Sequence, residues 1–401
     1  MEVNGTLEGL PIHFASSNAT GTSLLGPQIY CAQPEPVSSA RFALVGVVAG
    51  LVAFLGVLSN STLFVIFCRP GLPTPPNLYQ ATLALLDTSI CLMYIALLST
   101  DAYALHLRIL WLWYFWNNAS IPLFFLSRFI QLSSTYVIIM ASIERYLLIL
   151  RSYGAQHLVW VRSRAVKTGT IVFILLASGG INSVTLLEFA VHRGLNCSDP
   201  FTDIWVDRTS VAMASWKGSY EYGKVVLAVF VPFALLITIS SLTVLTMWRY
   251  HTKQSQKRGG LLNELNGDQM DEENNNPTMA LSLLSTSVFE SRMEENLKKR
   301  RQGLRLRRTA WTMVFICCSY LVCNSISLLL NILESFPDNG LLFYVQDGEL
   351  HGTSFYVISS DLVSFLFMLN CVLRLPIHLL CNTDIRQSLL QVLLCRCSSA
   401  S

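Results

Sequence analysis

SRFIQLSSTYVIIMASIERYLLILR, residues 127–151, reads as one apolar helix with ionisable residues at both ends. Arg128 stands near its start, and Glu144-Arg145-Tyr146 near its end. Between them the one stronger polar side chain is Gln131, with a few hydroxyls. Charge at membrane depth is expensive, so it faces the protein interior and marks function. At the helical rise, Arg128 and Arg145 are about 25 Å apart, close to a hydrocarbon thickness. One helix therefore connects a site near one membrane face to a site near the other.

The rest of the chain has the same character. Of 401 residues, 52% are hydrophobic and 13% charged, with a mean hydropathy of +0.47. Soluble domains carry about 25% charged residues. Seven apolar runs are long enough to span: 42–67, 78–99, 119–149, 166–188, 222–248, 309–333 and 355–380. The reading is an all-α membrane protein, a seven-transmembrane helix bundle over 42–380. The third and fifth runs exceed what a bilayer needs. Leu107–Trp116 (LRILWLWYFW) reads as an aromatic loop or an extension of span three. Pro232 predicts a kink in span five. No internal repeat is visible, which weighs against an inverted-repeat transporter.

Orientation follows from the cations. With the N-terminus outside, most of the 28 Lys and Arg residues fall on the inner side. The sequons at Asn4, Asn18, Asn118 and Asn196 then all lie outside, while the one at Asn60 is within a span. Residues 1–41 read as an extracellular, glycosylated tail. The segment DIWVDRTSVAMASW, in the outer loop 189–221, could fold back as a short hairpin. Residues 249–308 form a long inner loop, acidic and disorder-prone at first, ending in the basic run Lys298–Arg308. That run suits anionic lipid or a cytoplasmic partner. In 381–401, Ile385, Leu389, Val392 and Leu393 recur at helical spacing. They predict an amphipathic surface helix on the inner leaflet, and Cys395 and Cys397 behind it suit acylation.

Two buried charges need partners. Asp87 in span two must be protonated, paired or cation-bound, with Asn60, Ser134 and Asn370 as polar neighbours. Arg128 needs an acceptor, and Glu221, Glu334, Asp361 and Gln131 are the candidates. Either it is an internal salt bridge or it faces a ligand's carboxylate or carbonyl. No P-loop, HExxH or GxSxG motif is present, and of seven His residues only His378 falls in a run. Neither an enzyme nor a metal cluster is indicated.

Seven spans, Glu144-Arg145-Tyr146, Asn60 and Asp87 together resemble the rhodopsin-like (class A) G-protein-coupled receptors, over about 42–397. Within them the chain is similar to a divergent branch, the invertebrate and nematode FMRFamide-receptor-like neuropeptide receptors. The resemblance implies a plasma-membrane receptor for an extracellular ligand, a neuropeptide, that activates a heterotrimeric G protein. It also implies that Glu144 holds Arg145 at rest, so that neutralising Glu144 raises basal signalling. It implies a sodium-type cation at Asp87 with Ser134, and a ligand pocket near Arg128, Gln131, Glu334 and Asp361. The departures are clear. Ser319 and Leu321 stand where the family has Trp and Pro. Arg374-Leu-Pro376-Ile-His378 stands for Asn-Pro-x-x-Tyr. A transporter or channel, or a non-signalling seven-helix scaffold, is the alternative. The family's usual cysteine at the outer end of span three is also missing, with Ser120 at about that place. Cys31 and Cys197 are the two cysteines facing outside, and such thiols tend to oxidise. A Cys31–Cys197 disulfide is therefore expected. Nothing points to nucleic acid.

Overall fold

The computed structural model describes residues 37–69, 77–152, 163–194, 197–211, 216–268, 279–334, 343–346 and 349–398. Of these, 152, 217, 250–268, 279–293, 295–302, 334, 343–346, 349–352, 354, 393 and 395–398 are described for the backbone alone. Asn4, Asn18, Cys31 and Asn196 lie outside the described residues, as do the side chains of Glu334, Cys395 and Cys397.

Seven helices are long and apolar enough to cross a membrane: α1 (Ser39–Cys68), α2 (Leu78–His106), α3 (Leu110–Arg151), α4 (Arg164–Glu188), α5 (Gly218–Arg249), α6 (Gly303–Leu333) and α7 (Phe355–Cys381). A hairpin of β1 (Phe189–Arg193) and β2 (Ile204–Arg208) joins α4 to α5. A second hairpin, β3 (Phe343–Gln346) with β4 (Glu349–Gly352), precedes α7. Helix α8 (Thr383–Ser398) follows α7. Each span contains the apolar run read from sequence, because in lipid only a helix satisfies every backbone group of such a run. Below, the end where α1 begins is the N-terminal end of the bundle, and the end beside α8 is the C-terminal end.

The larger boundary differences are at the start of α3, which begins at Leu110, and at the end of α2, which continues through Asp101 to His106. Arg41 lies within electrostatic reach of Asp101 and favours its charge, against the like charge of Asp361. The reversal into α3 takes three residues. Arg108 adopts the left-handed conformation there (φ 51°) and donates to Asp199 at 2.5 Å. That hydrogen bond holds the exposed Asp199 carboxyl below its usual range.

The aromatic stretch belongs to α3. Its Trp111 and Phe115 are exposed, whereas Trp113 and Trp116 are buried against Phe201 and Ile204. This explains the hairpin. Ile204 and Val206 face inward and need that aromatic floor, so β2 pairs with β1 rather than within DIWVDRTSVAMASW. Pro232 of α5 has no N–H to donate, and the π-wound turn Val226–Phe230 just before it absorbs the mismatch. Helix α6 contains no proline and belongs to one continuous helix, Met279–Glu334.

The main core joins Leu83, Ile90, Val137, Ile138, Leu236, Ile316 and Met368 from α2, α3, α5, α6 and α7. Helix α1 enters through a small residue. A Cβ on Gly56 would lie 2.5 Å from Cys91 Sγ and 2.9 Å from Val372 Cγ2. Small residues let membrane helices approach closely. Gly56→Ala is therefore expected to destabilise the bundle by about 1–3 kcal/mol through overpacking. Gly169, with nothing within 4 Å of its Cβ position, is the control. Melting of the purified protein checks this, and equal melting temperatures for Gly56→Ala and Gly169→Ala would refute it. At the C-terminal end, α8 docks by burying Ile385 against Leu63, Phe67, Ala81 and Ala84. Leu390 and Leu394, on its other side, stay exposed.

Candidate functional site

A cavity opens among α3, α5, α6 and α7 in the half of the bundle nearer its N-terminal end. Its polar lining is Arg128, Gln131 and Thr135 from α3, Asn182 from α4, Lys224 from α5, Tyr320, Asn324 and Ser327 from α6, and Ser364 from α7. Val229, Phe233, Val363 and Phe367 supply apolar wall. Arg128 and Gln131, three apart in the sequence, share a helix face, which is why both reach it.

The partners expected for Arg128 are engaged elsewhere. Asp361 binds Arg41 through both oxygens, at 2.9 and 3.2 Å, tying the start of α1 to α7. Glu221 binds Lys224 at 2.7 Å. Glu334 belongs to the helix that contains α6, and its side chain lies outside the described residues. An Arg128–Asp361 or Arg128–Glu221 bridge is thus corrected: each carboxylate has a nearer cation. Arg128 lies over the ring of Phe124 at 5.3 Å, and its Nη2 is buried without a hydrogen-bond partner. The sequence reading missed Lys224, Tyr320 and Asn324. Tyr320 follows the Ser319 that replaces the family's tryptophan. Its hydroxyl lies 3.2 Å from Thr135 Oγ1, while Ser319 Oγ donates to Asn370 Oδ1 at 3.0 Å. The two neighbours thus clasp α6 to α3 and to α7.

Asp87 lies deeper, fully buried. Ser134 Oγ donates to its Oδ1 at 3.2 Å. Arg374, 3% exposed, brings Nη1 to 2.5 Å from its Oδ2. Asn60 donates to the carbonyls of Gly56 and Cys371 at 3.0 and 3.1 Å. Ser134 thus meets Asp87 directly and Asn60 reaches the Cys371 carbonyl nearby, but Arg374 holds the carboxylate, and Asn370 is engaged by Ser319. The residues present do not fit a sodium ion at Asp87, because Arg374 already supplies the positive charge. A second monovalent cation about 4 Å away would be repelled by about 4 kcal/mol at an effective dielectric of about 20. Asn60 Oδ1 and Arg374 Nε remain buried without hydrogen-bond partners.

At the C-terminal end the expected Glu144–Arg145 lock is replaced. Glu144 is buried, and its Oε1 accepts from Lys167 Nζ on α4. Successive residues point about 100° apart on a helix, so Glu144 reaches α4 while Arg145 turns to the centre. Among the described residues Arg145 makes no hydrogen bond or ion pair. It and Arg374 both act electrostatically on His378, a buried residue whose ring meets Phe67 edge-on at 5.4 Å. Tyr146 packs against the main core. Thus α3 carries the cavity's Arg128 at one end and an unengaged Arg145 at the other.

The remaining predicted residues are peripheral. Asn118 lies on α3 rather than in a loop. It donates to the Tyr114 carbonyl at 2.7 Å and accepts from Arg193 at 3.3 Å. Cys197 is not a free thiol, whereas Cys68, Cys91, Cys317, Cys318, Cys323, Cys371 and Cys381 are free.

The fold resembles the crystal structure of squid rhodopsin, with a TM-score of 0.59 at 15% identity over 90% of this chain and 82% of that one. No curated protein sequence matches. The sequence profile of the 7 transmembrane receptor (rhodopsin family) matches residues 60–374. With most of its length so matched, and seven apolar helices around a polar cavity, the chain belongs to the rhodopsin family of seven-transmembrane receptors.

Proposed function

We propose that this receptor sits in the plasma membrane with its N-terminus outside. There it binds an extracellular peptide in the Arg128 cavity and activates a heterotrimeric G protein at its opposite end. One observation carries the reading: α3 bears a polar cavity at one end and, at the other, an Arg145 that makes no hydrogen bond or ion pair among the described residues and feels Glu144 only through its charge. The cation distribution and the sequons support the orientation, and the likeness to neuropeptide receptors supports a peptide. The departures at Ser319, Leu321 and His378 keep the non-signalling scaffold as the competing outcome.

The test is a G-protein dissociation assay with surface level and membrane current recorded together, during a screen of amidated neuropeptides. Dissociation above that of mock-transfected cells, basal or stimulated, supports the reading. Absent dissociation at full surface level refutes it, and a ligand-independent current would favour a channel.

The covalent frame of the outer face follows the same orientation. Cys31 and Cys197 are proposed to form one disulfide, since Cys197 is not free and Cys31 is the other cysteine expected outside. Closing a loop of this length could add a few kcal/mol (about 2–5) of stability. Non-reducing mass mapping of surface protein checks it, as does an equal loss of surface level in Cys31→Ser and Cys197→Ser. Alkylation of both cysteines without reduction would sink it.

A further inference from the structure

We infer that Arg128 anchors a carboxylate group of the ligand, so the cavity selects an acid over the corresponding amide. Three observations converge. First, Arg128 Nη2 is buried without a hydrogen-bond partner, and two of the carboxylates expected to pair with it are engaged elsewhere: Asp361 with Arg41, Glu221 with Lys224. A buried guanidinium left unpaired is costly, and its planar fork matches a carboxylate with two parallel hydrogen bonds. Second, the cavity lining contains two cations, Arg128 and Lys224, and no Asp or Glu. Lys224 is paired with Glu221 but still feels the charge of Arg128, a repulsion an incoming anion eases. Third, Gln131 offers an amide nearby and Asn324, whose Nδ2 donates to the Tyr320 carbonyl, keeps a second N–H, while Phe233 and Phe367 form an apolar wall. The site is thus built for an acidic head on an apolar or aromatic body. A peptide's free carboxylate and a small organic acid share that chemistry.

The inference rests on the receptor reading for what the ligand does, but its test uses no G protein and so fails independently of it. The full chain, purified in detergent, is melted with 4-phenylbutyrate or its amide, and with the tripeptide Gly-Gly-Phe as free acid or C-terminal amide. At saturating probe, at least one acid is expected to raise the melting temperature by about 2 °C or more over its amide. Which acid does so tells a small organic acid from a peptide terminus. Arg128→Gln should abolish the difference and Arg128→Lys should keep part of it, since Lys retains the charge but not the fork. Without any probe, Arg128→Met should melt at or above the wild type, because an unpaired buried cation has been removed. The inference is overturned if neither acid exceeds its amide, if the difference survives in Arg128→Gln, or if Arg128→Met melts several degrees lower. The last result would mean that the guanidinium is a structural salt bridge.

Discussion

Asp87→Asn is expected to cost about 3–5 kcal/mol, the toll of breaking a buried pair and stranding one partner. It leaves Arg374 with its Nη1 facing a neutral amide, and a guanidinium cannot escape by losing its proton. Arg374→Met should cost less, because the carboxylate left behind can be neutralised by taking up a proton. The double variant Asp87→Asn/Arg374→Met should recover most of the loss, since uncharged groups of similar volume replace a buried ion pair at little net cost. The wild type itself should melt at the same temperature in NaCl and in KCl, because Arg374 occupies the place a sodium ion would take. Melting curves and surface level of the four proteins provide the check. An additive double variant would show that the two groups act independently, and a sodium-specific rise would mean that the guanidinium does not fill the site.

Arg145→Ala is expected to reduce G-protein dissociation at least tenfold at unchanged surface level. At the end opposite the cavity, Arg145 makes no hydrogen bond or ion pair among the described residues. The structure changes the expectation for its neighbour. Because Glu144 is bound to Lys167, Glu144→Gln does not release Arg145 from a lock, and basal signalling should change less than twofold. Lys167→Met should instead lower it, because the freed, buried carboxylate then turns to the adjacent guanidinium. Basal and stimulated dissociation across the three variants decides the matter. A large rise in Glu144→Gln would restore the simpler lock between adjacent residues, and full coupling by Arg145→Ala would remove its role.

The seven spans were legible because an apolar run in lipid has one way to satisfy its backbone, and the bounds agree closely: 42–67 against Ser39–Cys68, 355–380 against Phe355–Cys381. The cluster of Asn60, Asp87 and Ser134 was legible through spacing and resemblance. Which charge meets which was not. Arg41 and Asp361 are 320 residues apart, and nothing local distinguishes that pairing from Arg128 with Asp361. Lys167 looked like one more inner-side cation, yet the rotation of Glu144 toward α4 makes it the partner. Arg374 was visible as a departure, but its reach to Asp87 depends on how closely α7 meets α2. Tyr320, one position after the missing tryptophan, is one more aromatic in an apolar run, and only the packing of α6 on α3 sets its hydroxyl beside Thr135.

An α6 without proline is a rod rather than a bent arm. Its ties to α3 and α7 sit close together, at Cys317, Ser319 and Tyr320, so they act as a fulcrum, while the contacts of Arg305 and Arg308 with α8 are what the far arm must break to swing. Asn324, which lines the cavity, stands five residues to one side, about 7 Å along the axis, and Gly303 stands 16 to the other, about 24 Å. A push of about 1 Å on the cavity arm therefore becomes about 3 Å, in the opposite sense, at the far end. The kink that lets one half of such a helix swing alone is replaced by leverage. The gain of the device is set by where along α6 the ligand presses.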